Sequence, residues 1–103
     1  MPSQTEYAPN MTLVRKWAKK WKITGRIKRS DRKDKKLQVL VGDEWVHFGH
    51  SAYQDYTIHR DKKRQINYCK RSAGILDKSG KVTGNDKTSP NYYSMRLLWD
   101  CAP

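Results

Sequence analysis

Apolar positions alternate with a period of two in LQVLVGDEWVHFG (residues 37–49) and recur at helical spacing on either side of it. The alternating stretch reads as two strands flanking Gly42-Asp43, a pair suited to the primed turn of a β-hairpin. That turn sets the register: Val41 faces Glu44, Leu40 faces Trp45, Val39 faces Val46, Gln38 faces His47 and Leu37 faces Phe48. One face then carries Leu37, Val39, Val41, Val46 and Phe48, while the other mixes Leu40 and Trp45 with Gln38 and His47. A lone hairpin is not stable in water, so a helix or another strand must cover the apolar face.

Ahead of the hairpin, Leu13, Val14, Trp17, Ala18 and Trp21 form a helical stripe, with Thr12 placed as N-cap and Gly25 as the stop. Residues 1–11 read as an extended arm, and RIKRSDRKDKK (26–36), which has no apolar period, as a solvated linker. Beyond the hairpin, Asp61 to Ser72 predicts a second helix with Asp61 at its start, Arg71 near its end and Gly74 just past it. Its inner stripe is Ile58, Ile66, Cys69 and Ala73, with Tyr68 at the margin. Residues 77–91 are turn chemistry with room for a short hairpin. In YYSMRLLWD, Tyr92, Met95, Leu98 and Trp99 fall on one helical side, able to lie across the hairpin's open face. The fold class is therefore α+β: a small single domain, a β-hairpin packed against one or two helices, with a basic extended N-terminal arm. Residues 1–35 form the arm and its helix, and residues 36–103 the body.

Charge changes this picture more than composition does. The 103 residues hold 22 Lys/Arg against 10 Asp/Glu, a formal charge of +12. Twelve of those cations, against two Asp, lie between Arg15 and Lys36. So much charge on a small body repels itself and calls for a polyanion or an acidic surface nearby. Mean hydropathy is −1.01, yet 11% of residues are aromatic, unlike a disordered basic tail. No apolar run approaches a membrane span and no signal segment opens the chain, which implies a soluble protein made in a cytoplasm, without membrane contact. Cys69 and Cys101, with no C-x-x-C, read as free, half-buried thiols.

VHFGHSAYQDYTIHRDKKR (46–64) gathers three histidines, two tyrosines and two aspartates, and invites a catalytic or zinc reading. Structural zinc takes four ligands in close pairs, whereas only His47 and His50 are close, and on a strand end they point to opposite faces. His59-Arg60-Asp61 echoes a kinase triplet with nothing else of a kinase around it, and there is no nucleophile elbow or phosphate-binding glycine loop. The stretch is better explained as a structural corner: Gly49 ends a strand, Tyr53 and Tyr56 bury their rings, and Asp55, Thr57 and His59 bond the backbone entering the helix. No enzyme, cofactor, metal or small-molecule substrate is expected.

The string Val46-His47-Phe48-Gly49, then Tyr53, Asp55-Tyr56-Thr57, His59, Asp61 and Arg64, resembles a family of small basic proteins encoded by tailed phages and large DNA viruses. Tyr68 and Arg71 match its Y-x-x-R pair, and Ser94 to Trp99 is similar to its closing S-R-x-L-L-W segment with the arginine displaced by one. Ser72 stands where that family usually has a histidine, and the stretch before residue 30 lies outside the likeness. The resemblance implies a viral origin and a basic hairpin–helix module; the family has no established activity.

Together these readings point to a virion structural protein of a phage or other virus, a minor capsid-, neck- or tail-associated component. It would bind neighbouring virion proteins and turn its cations towards packaged DNA. It would reside in the virion, and in the host cytoplasm before assembly. The alternative is a free, non-specific nucleic-acid-binding protein of the infected cell. Candidate nucleic-acid contacts are Arg26, Lys28, Arg29, Arg32, Lys33, Lys35, Lys36, Arg60, Lys62, Lys63 and Arg64. Trp17, Trp21 and Trp45 are candidate protein-interface anchors, the competing reading of Trp17 and Trp21 being plain core. If the register is right, Phe48→Ala should cost about 3–5 kcal/mol, enough to unfold a domain this small, read as loss of the urea transition at 25 °C.

Overall fold

The hairpin forms with the register its turn dictates. In the computed structural model, which describes residues 8–101, the chain runs α1 (Met11–Lys20), β1 (Ile27–Arg29), β2 (Lys35–Val41), β3 (Glu44–His50), α2 (Tyr56–His59) and α3 (Lys62–Ala73). A 3-10 turn (Thr83–Asn85), α4 (Pro90–Tyr93) and a π-helical turn (Ser94–Leu98) follow. Gly42, at a φ of +64°, turns the chain, and all five predicted pairs from Val41–Glu44 to Leu37–Phe48 are present. Leu37, Val39 and Phe48 are fully buried, and Val41 and Val46 pack half-buried at the margin of the same core.

The expected linker is a strand instead. β1 pairs antiparallel with β2, Ile27 opposite Val39 and Arg29 opposite Leu37, giving the sheet order β1-β2-β3. Strand pairing asks for backbone partners, not for an apolar period, and side chains complete it. Gln38 accepts from the Asp31 N–H at 3.0 Å, and the Ser30 hydroxyl meets His47 Nδ1 at 2.8 Å. Gly25 does not stop a helix. It crosses β2 so closely that a Cβ would lie 2.1 Å from the Leu40 carbonyl oxygen. Lys28 and Arg29 charge the outer edge of the sheet, which protects it from pairing with another chain.

α1 is core rather than a projecting arm. Asn10, not Thr12, caps it, accepting from the N–H groups of Thr12 and Leu13. Val14, Trp17 and Ala18 are buried, and Trp17 stacks on Tyr56 with centroids 5.9 Å apart. The part of the expected arm at residues 1–7 lies outside the described residues. The boundary drawn at residue 35 is crossed by the β1–β2 pairing.

The C-terminal segment covers the hairpin, as its apolar residues suggested. Tyr93 packs on Phe48, and Met95, Leu97, Leu98 and Trp99 are buried, whereas Tyr92 stays half-exposed beneath the Arg96 guanidinium. The wider π-turn brings Leu97 into the core, a position that α-helical spacing leaves out.

α3 is capped by Asp61 and Gly74, close to the expected ends, but it buries a different face. Ile66 is 48% exposed and Ala73 lies on the surface, while Gln65 and Ser72 are buried. Hydrogen bonds and a covalent link choose that face. Gln65 Nε2 donates to the carbonyls of Trp99 and Asp100, at 2.7 and 3.2 Å. Cys69 is joined to Cys101 in a disulfide, which replaces the free thiols expected from the cysteine count. Asp100 in turn accepts from Lys20 Nζ and Trp21 Nε1, both at 3.0 Å. Residues 99–101 thus fasten α1 and α3 to one strap.

Lys36 is the least expected core residue. Its side chain is 3% exposed and donates to Asp55 Oδ2 at 2.7 Å. Asp55 Oδ1 accepts from the Thr57 N–H and hydroxyl, and Thr57 Oγ1 accepts from the Asn10 N–H at 2.9 Å. Burial lowers the Lys36 pKa, and Asp55 opposes that by stabilising the ammonium. Breaking such a pair strands a charge in the interior. Lys36→Met should therefore destabilise by about 3–5 kcal/mol in urea unfolding. Adding Asp55→Asn, which removes the stranded charge but keeps an acceptor for Thr57, should recover part of that loss.

Candidate nucleic-acid interface

Of the 22 lysines and arginines, Lys36 alone is buried and Lys35 and Arg96 are partly so; the others are exposed. The predicted phosphate contacts divide accordingly. Arg26, Lys28 and Arg29 line the β1 edge, Arg32 and Lys33 the turn after it, and Arg29 and Lys35 share a small hollow beside Ser51. Arg60 and Lys62 lie over the Tyr56 ring, 5.1 and 5.6 Å from its centroid, with Lys63 beside them in sequence at the head of α3. Lys36 must be struck from this set, because its ammonium is spent on Asp55 inside the core.

The predicted anchors also separate. Trp17 is core, 5% exposed, and so is no interface residue. Trp21 is half-buried and tied to Asp100. Trp45 is half-buried under the Lys28 ammonium, 4.8 Å from its ring.

The residues of the corner at 46–64 hold the fold together. Asp55 caps α2, and His59 Nδ1 accepts from the Asp61 N–H at 2.9 Å, as the corner reading requires. Tyr53 departs from it: its ring is 67% exposed and tilts against His50 at 4.9 Å. Among the described residues no three His, Cys, Asp or Glu side chains converge as a metal set, and no helix is long and apolar enough to cross a membrane.

Above the Lys36–Asp55 pair lies a cleft of about 480 Å³ between the corner, α3 and the C-terminal segment. One wall carries His50, Tyr53 and Gln54; the other carries Arg64, Asn67, Tyr68 and Arg71. The latter four sit at i, i+3, i+4 and i+7 of α3, so the helix presents them on one face. Arg64 donates to Gln54 Oε1 at 3.2 Å across the gap. Tyr68 is fixed by stacking on Trp99, centroids 4.0 Å apart, and by a 2.8 Å bond to Ser94 Oγ. Of these, the sequence reading places Arg64 at a site and gives Tyr68 and Arg71 only a stripe margin, a helix end and a resemblance; their i, i+4, i+7 spacing is the signal that could have grouped them.

Comparison with protein families finds similarity to a family of unknown function (DUF5754) over residues 25–72, a span that runs from the approach to β1 through the hairpin and corner to α3. No curated protein and no solved structure matches the chain. The matched span supplies both facing walls of the cleft but not Ser94, Leu98 and Trp99, which close it.

The His59 ring lies 5.2 Å from that of Trp99, and its buried Nε2 has no hydrogen-bond partner among the described residues. Burial, then the nearby Arg64 charge, holds its pKa below the usual histidine value, against opposing pulls from Asp61 and Asp55. The unfolded chain then takes up this proton first as pH falls. Stability is complete above about pH 6.5 and declines below it until the lower folded-state value is passed. His59→Asn, which keeps an acceptor for Asp61, should reduce the drop in urea midpoint between pH 7.5 and pH 5 relative to the parent.

Proposed function

We propose that the protein is a virion component that binds packaged nucleic acid without sequence preference, through its folded cationic exterior rather than through an extended arm. The observation that carries this reading is the distribution of charge. Nearly every lysine and arginine is held outside a well-packed core, on α1, the β1 edge and the following turn, α3 and the loop after it. Phosphate neutralisation and counterion release need no more than that. Among the described residues no helix-turn-helix or zinc finger offers a base-reading surface, so binding should depend on charge and shape. The protein acts by binding, without a catalytic step.

The resemblance to viral proteins supports a place in the particle, and so does the Cys69–Cys101 disulfide. Cytosolic thiols are kept reduced, whereas disulfides persist on virions and outside cells. The exposed apolar residues Ile75, Leu76 and Val82, beside the bridge between Leu76 and Val82, offer a surface for neighbouring virion proteins. A free nucleic-acid-binding protein of the infected cell would share the charge but not the disulfide.

With about five to eight phosphates contacted, log K should fall against log salt with a slope of roughly −4 to −7. Replacing Arg26, Arg29 and Lys35 by Gln should flatten it by about three units if each meets one phosphate, with the fold intact. No binding at low salt would mean that the charge serves an acidic protein instead. Purified particles should contain the chain with Cys69 and Cys101 oxidised; its absence from them would leave the free-binder reading.

A further inference from the structure

We propose that the cleft between the corner and α3 receives a single nucleotide, its phosphate held by Arg64 and Arg71 and its base laid against Tyr53. This rests on the nucleic-acid reading for the source of the nucleotide, but not for the site itself.

The volume of about 480 Å³ falls in the range of small-molecule sites, against about 120 Å³ for the hollow beside Ser51. The cleft's charge is unbalanced in favour of an anion. Among the described residues Asp55 is the one carboxylate lining it, and Lys36 neutralises that group from within. Two guanidiniums remain on the α3 wall. Arg64 is steadied by Gln54, and the Arg71 guanidinium has no hydrogen-bonding, ionic or aromatic partner among the described residues. Guanidinium presents paired donors that match phosphate oxygens.

The opposite wall supplies what a bare phosphate would not need. Tyr53 exposes most of a large ring at the mouth although the corner around it is ordered by Asp55 and His50, and every base has a π-face to stack on it. Leu98 and Trp99 give the interior an apolar lining, and the Asn67 amide, also without a bonded partner among the described residues, faces the same space. Phosphate donors on one side and an exposed ring on the other suit a nucleoside monophosphate better than either half alone. Such a group occurs free or at the 5′ end of a strand.

The test is titration calorimetry on the full, oxidised chain with adenosine 5′-monophosphate, inorganic phosphate and adenosine, together with competition against labelled single-stranded oligonucleotides with and without a 5′ phosphate. The monophosphate should bind one to one and more tightly than phosphate or adenosine. Arg71→Gln should weaken it at least tenfold. Tyr53→Ala should weaken the monophosphate but leave inorganic phosphate unchanged. Both residues are exposed, so unchanged thermal unfolding should accompany each loss. Lys19→Gln, on the outer side of α1, should leave monophosphate binding unaltered. A strand-end site predicts that the monophosphate displaces the 5′-phosphorylated oligonucleotide selectively; a free-nucleotide site predicts saturable binding without that displacement. No saturable monophosphate binding, or equal losses in Arg71→Gln and Lys19→Gln, would overturn the cleft. Salt-dependent oligonucleotide binding untouched by the cleft variants, in a chain that shows no saturable monophosphate binding, would overturn it and leave the general reading standing. Monophosphate binding with no oligonucleotide binding would sustain the cleft and remove the nucleic-acid reading.

Discussion

The ammonium of Lys36 and the carboxylate of Asp55 set the terms for the rest of the molecule. Neither is tolerable in the interior alone, and together they join β2 to the corner. Asp55 spends its second oxygen on Thr57, which accepts in turn from the backbone at the start of α1. One buried charge pair therefore connects the sheet, the turn into α2 and the N-terminal helix. Its position under the cleft also matters. A floor that is internally neutral leaves the field of the cleft to the arginines on its wall.

Where the sequence was legible, a local rule was enough. The Gly42-Asp43 turn and strict alternation specify the hairpin register residue by residue, and Asp61 and Gly74 mark the ends of α3 because capping is a local transaction between neighbours. Long-range choices were not legible. β1 has no apolar period, since it is held by backbone pairing and by Ser30 and Asp31 reaching β2 and β3. α3 buries Gln65 instead of Ile66 because the carbonyls of Trp99 and Asp100, more than thirty residues away, need a donor. Cys69 and Cys101 pair for the same kind of reason. Nothing in their own surroundings along the chain announces it.

The site followed the same division. A census of lysines and arginines located the charge but could not tell Lys36, which is internal, from Lys35, which is not. Composition treats two adjacent lysines alike, while the fold makes one a core residue and the other a surface residue. The cleft needs both the helical face of Arg64, Tyr68 and Arg71 and the residues that close it from beyond the matched span. Trp99 shows the dependence most directly, since its ring orders Tyr68 from a segment thirty-one residues downstream.

The strap at residues 99–101 has a consequence for how the chain reaches this state. Lys20 and Asp100 are 80 positions apart, and Asn10 and Thr57 are 47 apart, yet both pairs close the same core. Loop-closure entropy must be paid before such distant contacts return anything, so the topology favours slow, late consolidation over stepwise growth. During synthesis α1 and the hairpin emerge before the segment that covers them. Their apolar faces must wait, and the cations spread along the early part of the chain supply the mutual repulsion that keeps waiting chains apart.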